Sequence, residues 1–128
     1  MVGGYAVALH GYVRYTADMD IWILATKANA KRIIKALTDF NVPKAEELYS
    51  IFVAEKKVFG MGMAPYKIEI LNSIDGVQFK ECYPHRLTAD LDGVSIPYIS
   101  LSDLRKNKTA SNRYKDLNDL GHLPVNEE

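Results

Sequence analysis

The chain has 128 residues, 48% hydrophobic and 25% charged, which fits one globular domain and excludes a disordered tail, a fibre and a coiled-coil rod. Sixteen basic residues balance sixteen acidic ones, so a whole-surface binder of nucleic acid or membrane is disfavoured. Any electrostatic function must come from local sorting of charge. Cys82 is the only cysteine and cannot form an internal disulfide, which suits a reducing compartment. No apolar run reaches the roughly 18 residues of a membrane helix, and the N-terminus lacks a leader's charged-then-apolar order. The expectation is a cytoplasmic protein with no membrane contact.

In chain order, Gly3-Gly4 reads as a turn opening a short helix (Tyr5 to Leu9) that ends at Gly11. Asp18 to Ala25 is rich in strand formers. Thr26 is a suitable N-cap for a helix over about 27–40, whose Ala30, Ile33, Ile34 and Leu37 recur at helical spacing. Asn41-Val42-Pro43 stops it, and a second helix is predicted over about 44–54 with Leu48, Ile51 and Phe52 on one face. Val58 to Met63 is ambiguous between strand and loop. Tyr66 to Leu71 alternates as a strand does, with Lys67, Glu69 and Leu71 on one face.

Val77 to Tyr83 reads as a short helix, and Thr88 to Tyr98 as a hairpin turning at Asp92-Gly93. Ser100 and Asp103 form a capping-box pattern for the next helix. A last helix over about 112–122 is predicted to turn Tyr114, Leu117 and Leu120 inward. Mixed strands and helices predict an α/β or α+β fold in a single domain over residues 1–128.

The chemistry lies in Gly3-Gly4 followed by Asp18-Met19-Asp20. On a strand, residues i and i+2 share a face, so Asp18 and Asp20 project together. Two carboxylates at that range repel unless a cation sits between them, and hard oxygen ligands suit Mg²⁺. The alternative is a solvated strand end beside an ordinary turn. Farther along, Arg105, Lys106, Lys108, Arg113 and Lys115 put five cations in eleven residues with no acid among them. This is either a solvated helix face or a phosphate clamp, in which Lys108 is the first choice and Arg113, Lys115 and Asp116 come next. Asp116 and Asp119 can instead orient the basic side chains. Trp22 and His10 read as structural, Arg14 and Thr16 as shaping the turn before the strand, and Cys82 as an inert thiol.

The run Gly3-Gly4-Tyr5-Ala6 … His10-Gly11 … Arg14-Tyr15-Thr16-Ala17-Asp18-Met19-Asp20-Ile21 resembles the signature of the DNA-polymerase-β-like nucleotidyltransferase superfamily. The likeness is to its small prokaryotic branch of minimal nucleotidyltransferases and AbiEii-type toxins. Ser100 to Leu104, Lys108 and Arg113-Tyr114-Lys115-Asp116 … Asp119 resemble that branch's C-terminal motif.

The resemblance implies a mixed sheet packed by helices. It implies that Asp18 and Asp20 hold Mg²⁺ or Mn²⁺, with Glu69 as third carboxylate or as base for the attacking hydroxyl. Glu69 can equally be a strand glutamate paired with Lys67. Gly3 and Gly4 would face the phosphates of a nucleoside triphosphate, and the acceptor would be a hydroxyl of a protein, an RNA or a small molecule. The alternative function is an inactive binding module, such as a toxin–antitoxin component.

Two departures stand out. Gly4 replaces a serine found in many superfamily members, and only Met1 and Val2 precede Gly3 where that fold has a full strand. The expectation is a sheet short of its first strand, its open edge covered by another segment or by a second copy of the chain in a homodimer.

Overall fold

A computed structural model describes residues 1–16, 18–63 and 65–125. The fold is α+β. Three strands form one sheet, β1 (Asp18–Trp22), β2 (Val58–Met61) and β3 (Lys67–Leu71), in the order β1-β3-β2. β1 runs parallel to β3, and β2 runs antiparallel to it. A hairpin of β4 (Leu87–Leu91) and β5 (Val94–Tyr98) stands apart. Its turn uses Asp92 and Gly93 at φ +52° and +82°, the left-handed pair that a tight hairpin requires.

Among the described residues there are six α-helices: α1 (Gly3–Leu9), α2 (Lys27–Asp39), α3 (Tyr49–Val53), α4 (Phe79–Cys82), α5 (Leu101–Ser111) and α6 (Tyr114–His122). None is long and apolar enough to cross a membrane. Thr26 caps α2 by accepting from the Asn29 amide at 3.1 Å. Ser100 caps α5 in the same way, from Asp103 at 3.2 Å. The Asp103 carboxylate also accepts from the Ser100 hydroxyl at 3.0 Å. The helix predicted over 44–54 is broken into a 3₁₀ turn, Ala45–Leu48, and the five residues of α3.

The sheet separates two apolar cores. On one face Ile23 and Ile70 pack with Ala30 and Leu37 of α2 and Phe52 of α3. On the other, Val2, Ala6 and Val7 meet Ile99, Leu101 and Leu104, with Trp22 and Leu71 packed against them. Trp22 and Leu71 end the same strand faces that begin with Asp18 and Lys67. Each of these faces is therefore apolar at one end and charged at the other. The site stands at the charged end.

Along the free edge of β1, the Val2 amide donates to the Asp20 carbonyl at 3.0 Å in a single antiparallel bridge. The Met1 carbonyl accepts from Ile99, and the Met1 amine donates to the Pro97 carbonyl. Met1 and Val2 thus tie the edge of the sheet to the end of the hairpin.

One prediction fails in an informative way. Tyr114 and Leu117 do not face inward; they are 91% and 47% exposed. The inward face of α6 carries Asp116 and Asp119, both fully buried. Buried carboxylates need buried cations, and the cations come from α5 and from the loop before β1.

Candidate functional site

The parallel register sets Asp20 opposite Glu69 and Asp18 opposite Lys67. Asp18, Asp20 and Glu69 thus converge from two strands. Each offers a carboxylate oxygen, and these oxygens lie within 4.8 Å of one another, all half-buried. Burial pushes the Asp20 carboxyl up to about 6, and the negative charges of Glu69 and Asp18 add to the effect. A hydrogen bond shared with Glu69 acts in the same direction, while Lys115 acts against it. Asp20 Oδ1 is buried and has no hydrogen-bond partner. Such an atom is costly in an apolar setting unless a ligand or a proton meets it. Three carboxylates that each offer a hard oxygen donor fit a Mg²⁺ or Mn²⁺ ion.

Lys67 Nζ lies 3.0 Å from Glu69 Oε1, so the strand pairing expected as the alternative is present beside the cluster. Glu69 holds the Lys67 ammonium above its ordinary range.

Gly3 adopts φ +66° and sits against the Asp20 carboxylate, where a Cβ would overlap Oδ2. Gly4 is pressed against Thr16 and Arg14. The glycine pair is required by close approach as much as by backbone conformation. A cavity of about 270 Å³ opens beside this turn. Gly3, Asp20, Ser73, Asn107, Lys108 and Arg113 are among its lining residues.

Lys108 is not a free ammonium. It is 3% exposed, and its Nζ lies 2.7 Å from Asp116 Oδ1 and 3.1 Å from Asp119 Oδ2. Arg113 Nε donates to Asp116 Oδ2 at 2.8 Å, joined there by the Ser111 hydroxyl. Burial alone would raise the Asp116 carboxyl, but hydrogen bonds from Lys108, Ser111 and Arg113 outweigh it and hold the group down to about 2. Asp119 is likewise held below its ordinary value: burial acts upward, and hydrogen bonds from Arg14 and Lys108 prevail.

Of the predicted clamp, Arg113 and Lys115 keep exposed side chains, and Lys115 is close enough to act on Asp20. Arg105 donates to the carbonyls of Leu120 and Pro124, both at 3.3 Å.

The structure therefore joins Asp18, Asp20 and Glu69 in one cluster and sets Gly3, Lys108 and Arg113 around one cavity. Gly4 and Asp116 support that cavity's walls. Sequence reading did not single out Ser73, Asn107 or Ser111, and no motif marks them. His10 is structural, with Nε2 2.8 Å from the Ile99 carbonyl oxygen. Cys82 is buried, and burial, with Asp103 adding to it, raises its thiol to about 11, as an inert thiol requires. No family model, no curated protein and no solved structure matches the chain.

Proposed function

We propose that the chain is a Mg²⁺-dependent nucleotidyltransferase, moving a nucleoside monophosphate from a nucleoside triphosphate to a hydroxyl of a protein, an RNA or a small molecule. The observation that carries this reading is the carboxylate triad with its orphaned Asp20 oxygen, adjoining a cavity that holds both a glycine turn and basic side chains. Asp18, Asp20 and Glu69 would hold Mg²⁺ or Mn²⁺. When bound there, such an ion would supply positive charge to offset that of the triphosphate. Gly3 brings the backbone of the turn against the Asp20 carboxylate, where any side chain would collide with Oδ2. Arg113 and Lys115 supply positive charge beside the carboxylates. The acceptor oxygen bonds to the α-phosphorus and pyrophosphate leaves. The hydroxyl proton would pass to a carboxylate, and Glu69, opposite Asp20 on the neighbouring strand, is placed for this role.

A second reading, an inactive module that binds a partner protein in a toxin–antitoxin pair, draws on one observation. Lys108 is committed to Asp116 and Asp119, so the first-choice clamp residue is not free for phosphate.

The test incubates the protein with each α-labelled nucleoside triphosphate, Mg²⁺ and a cell extract, then identifies what becomes labelled. Label that appears with the wild type and not with the Asp18→Ala, Asp20→Ala double variant supports transfer. A stable complex with a partner protein, without labelling or nucleotide binding, supports the second reading.

A further inference from the structure

We infer that Arg14 and Asp119 are positioning residues: their ion pair fixes the Gly3-Gly4 turn relative to Asp18 and Asp20, and so sets whether the adjoining cavity accepts a metal-bound triphosphate. The inference rests on the nucleotidyltransferase reading.

Arg14 stands in the segment that leads into β1. Its Nε donates to Asp119 Oδ1 at 2.7 Å, and its Nη2 donates to Oδ2 at 2.8 Å. The pair spans 105 residues of sequence and joins this segment to α6. The third guanidinium nitrogen, Nη1, donates to the Tyr15 carbonyl at 3.0 Å. It also lies against Gly4, where a Cβ would stand 3.2 Å away. Thr16 Oγ1 takes the other side of Gly4, and its hydroxyl donates to the Asp18 carbonyl at 3.2 Å. Arg14 with its neighbour Thr16 thus meets the glycine turn, the entry to β1 and α6.

Asp119 closes the circuit from the other side. Its Oδ2 also takes Lys108 Nζ at 3.1 Å, and Lys108 lines the cavity. The carboxylate is fully buried, and its hydrogen bonds from Arg14 and Lys108 favour the ionised form. A planar guanidinium engaged through two parallel bonds has almost no freedom to pivot, which a lysine cannot reproduce. Through this single carboxylate of α6, the glycine turn and α5, which both line the cavity, are held in one geometry.

The test compares wild type with Asp119→Asn and Arg14→Lys, using Mn²⁺ alone and then Mn²⁺ with inorganic triphosphate. Mn²⁺ affinity is expected to stay within about twofold in both variants, because the metal ligands sit on paired strands. Triphosphate affinity is expected to fall about tenfold in both. The sign is decisive for Asp119→Asn. Removing a negative charge beside the cavity would tighten anion binding by Coulomb attraction alone, whereas lost positioning weakens it. Unchanged or tighter triphosphate binding in folded Asp119→Asn overturns the inference.

Arg14→Lys keeps the charge and decides the matter if the Asn variant does not fold; wild-type affinity in it is equally fatal. Wild type that binds neither probe refutes the nucleotidyltransferase reading. Amide hydrogen exchange over residues 3–6 and 12–16 then judges the positioning by itself. Faster exchange in Arg14→Lys supports it, and unchanged exchange overturns it.

Discussion

Replacing Asp20 by asparagine should stabilise the metal-free protein and at the same time remove its response to Mg²⁺. The folded-state carboxyl is raised from 3.8 to about 6, chiefly by burial and then by the charges of Glu69 and Asp18. A group raised in the folded state favours folding least when ionised. Its penalty is absent below the unfolded value near 4 and is fully present once the pH exceeds about 6. Each unit corresponds to about 1.4 kcal/mol, so two units give roughly 3 kcal/mol at pH 7 before screening. The side chain is only half-buried, and solvent screening reduces this to about 1–2 kcal/mol.

Asparagine keeps the shape and removes the charge, so Asp20→Asn should melt about 5 °C above wild type at pH 7 without metal. The advantage should vanish near pH 4. With Mg²⁺ at about 100 times its dissociation constant, wild type gains roughly 2.7 kcal/mol and the order reverses. Thermal unfolding followed by circular dichroism, with chelator and then with Mg²⁺, measures both effects. An Asn variant less stable than wild type in chelator, or equally stabilised by Mg²⁺, refutes the reasoning.

Three further outcomes follow from the same geometry. Mn²⁺ affinity should fall as the pH drops through about 6, because a proton on Asp20 competes with the ion; titration at pH 5 and 7.5 measures it. Asp116→Asn should cost about 3 kcal/mol at pH 7, since it leaves Lys108 and Arg113 facing a neutral group in a buried setting. Asp116 is held down to about 2, so its contribution is present above the unfolded value near 4 and is lost as the pH falls through 2; denaturant unfolding across that window should show the cost shrinking. Gly3→Ala should lower stability by about 1–2 kcal/mol through left-handed strain. It should also weaken Mn²⁺ binding, because the new methyl meets Asp20 Oδ2.

The local elements were legible in the sequence because their signals are local. The apolar spacing of α2 and the cap at Thr26 lie within one helix, and Asp92-Gly93 alone specifies the hairpin turn. Asp18 and Asp20 were legible as a pair because strand alternation settles their shared face. Glu69 as their neighbour rested on resemblance, since no local pattern encodes the parallel pairing of β1 with β3 across some fifty residues.

The inward face of α6 is not legible in the sequence for a physical reason. Apolar periodicity turned Tyr114 and Leu117 inward, yet the buried face of α6 carries Asp116 and Asp119. A carboxylate is buried only when its cation is already in place, and one such cation, Arg14, lies about a hundred residues away. For the same reason the sequence presented Lys108 as a free charge, whereas the fold surrounds it with two carboxylates.

The most direct measurement is a Mn²⁺ titration by electron paramagnetic resonance on wild type and on Asp18→Asn, Asp20→Asn and Glu69→Gln. One tight ion per chain in the wild type, lost or greatly weakened in all three variants, is the result a metal held by Asp18, Asp20 and Glu69 requires. Binding that survives every substitution, or no binding by a folded wild type, contradicts it.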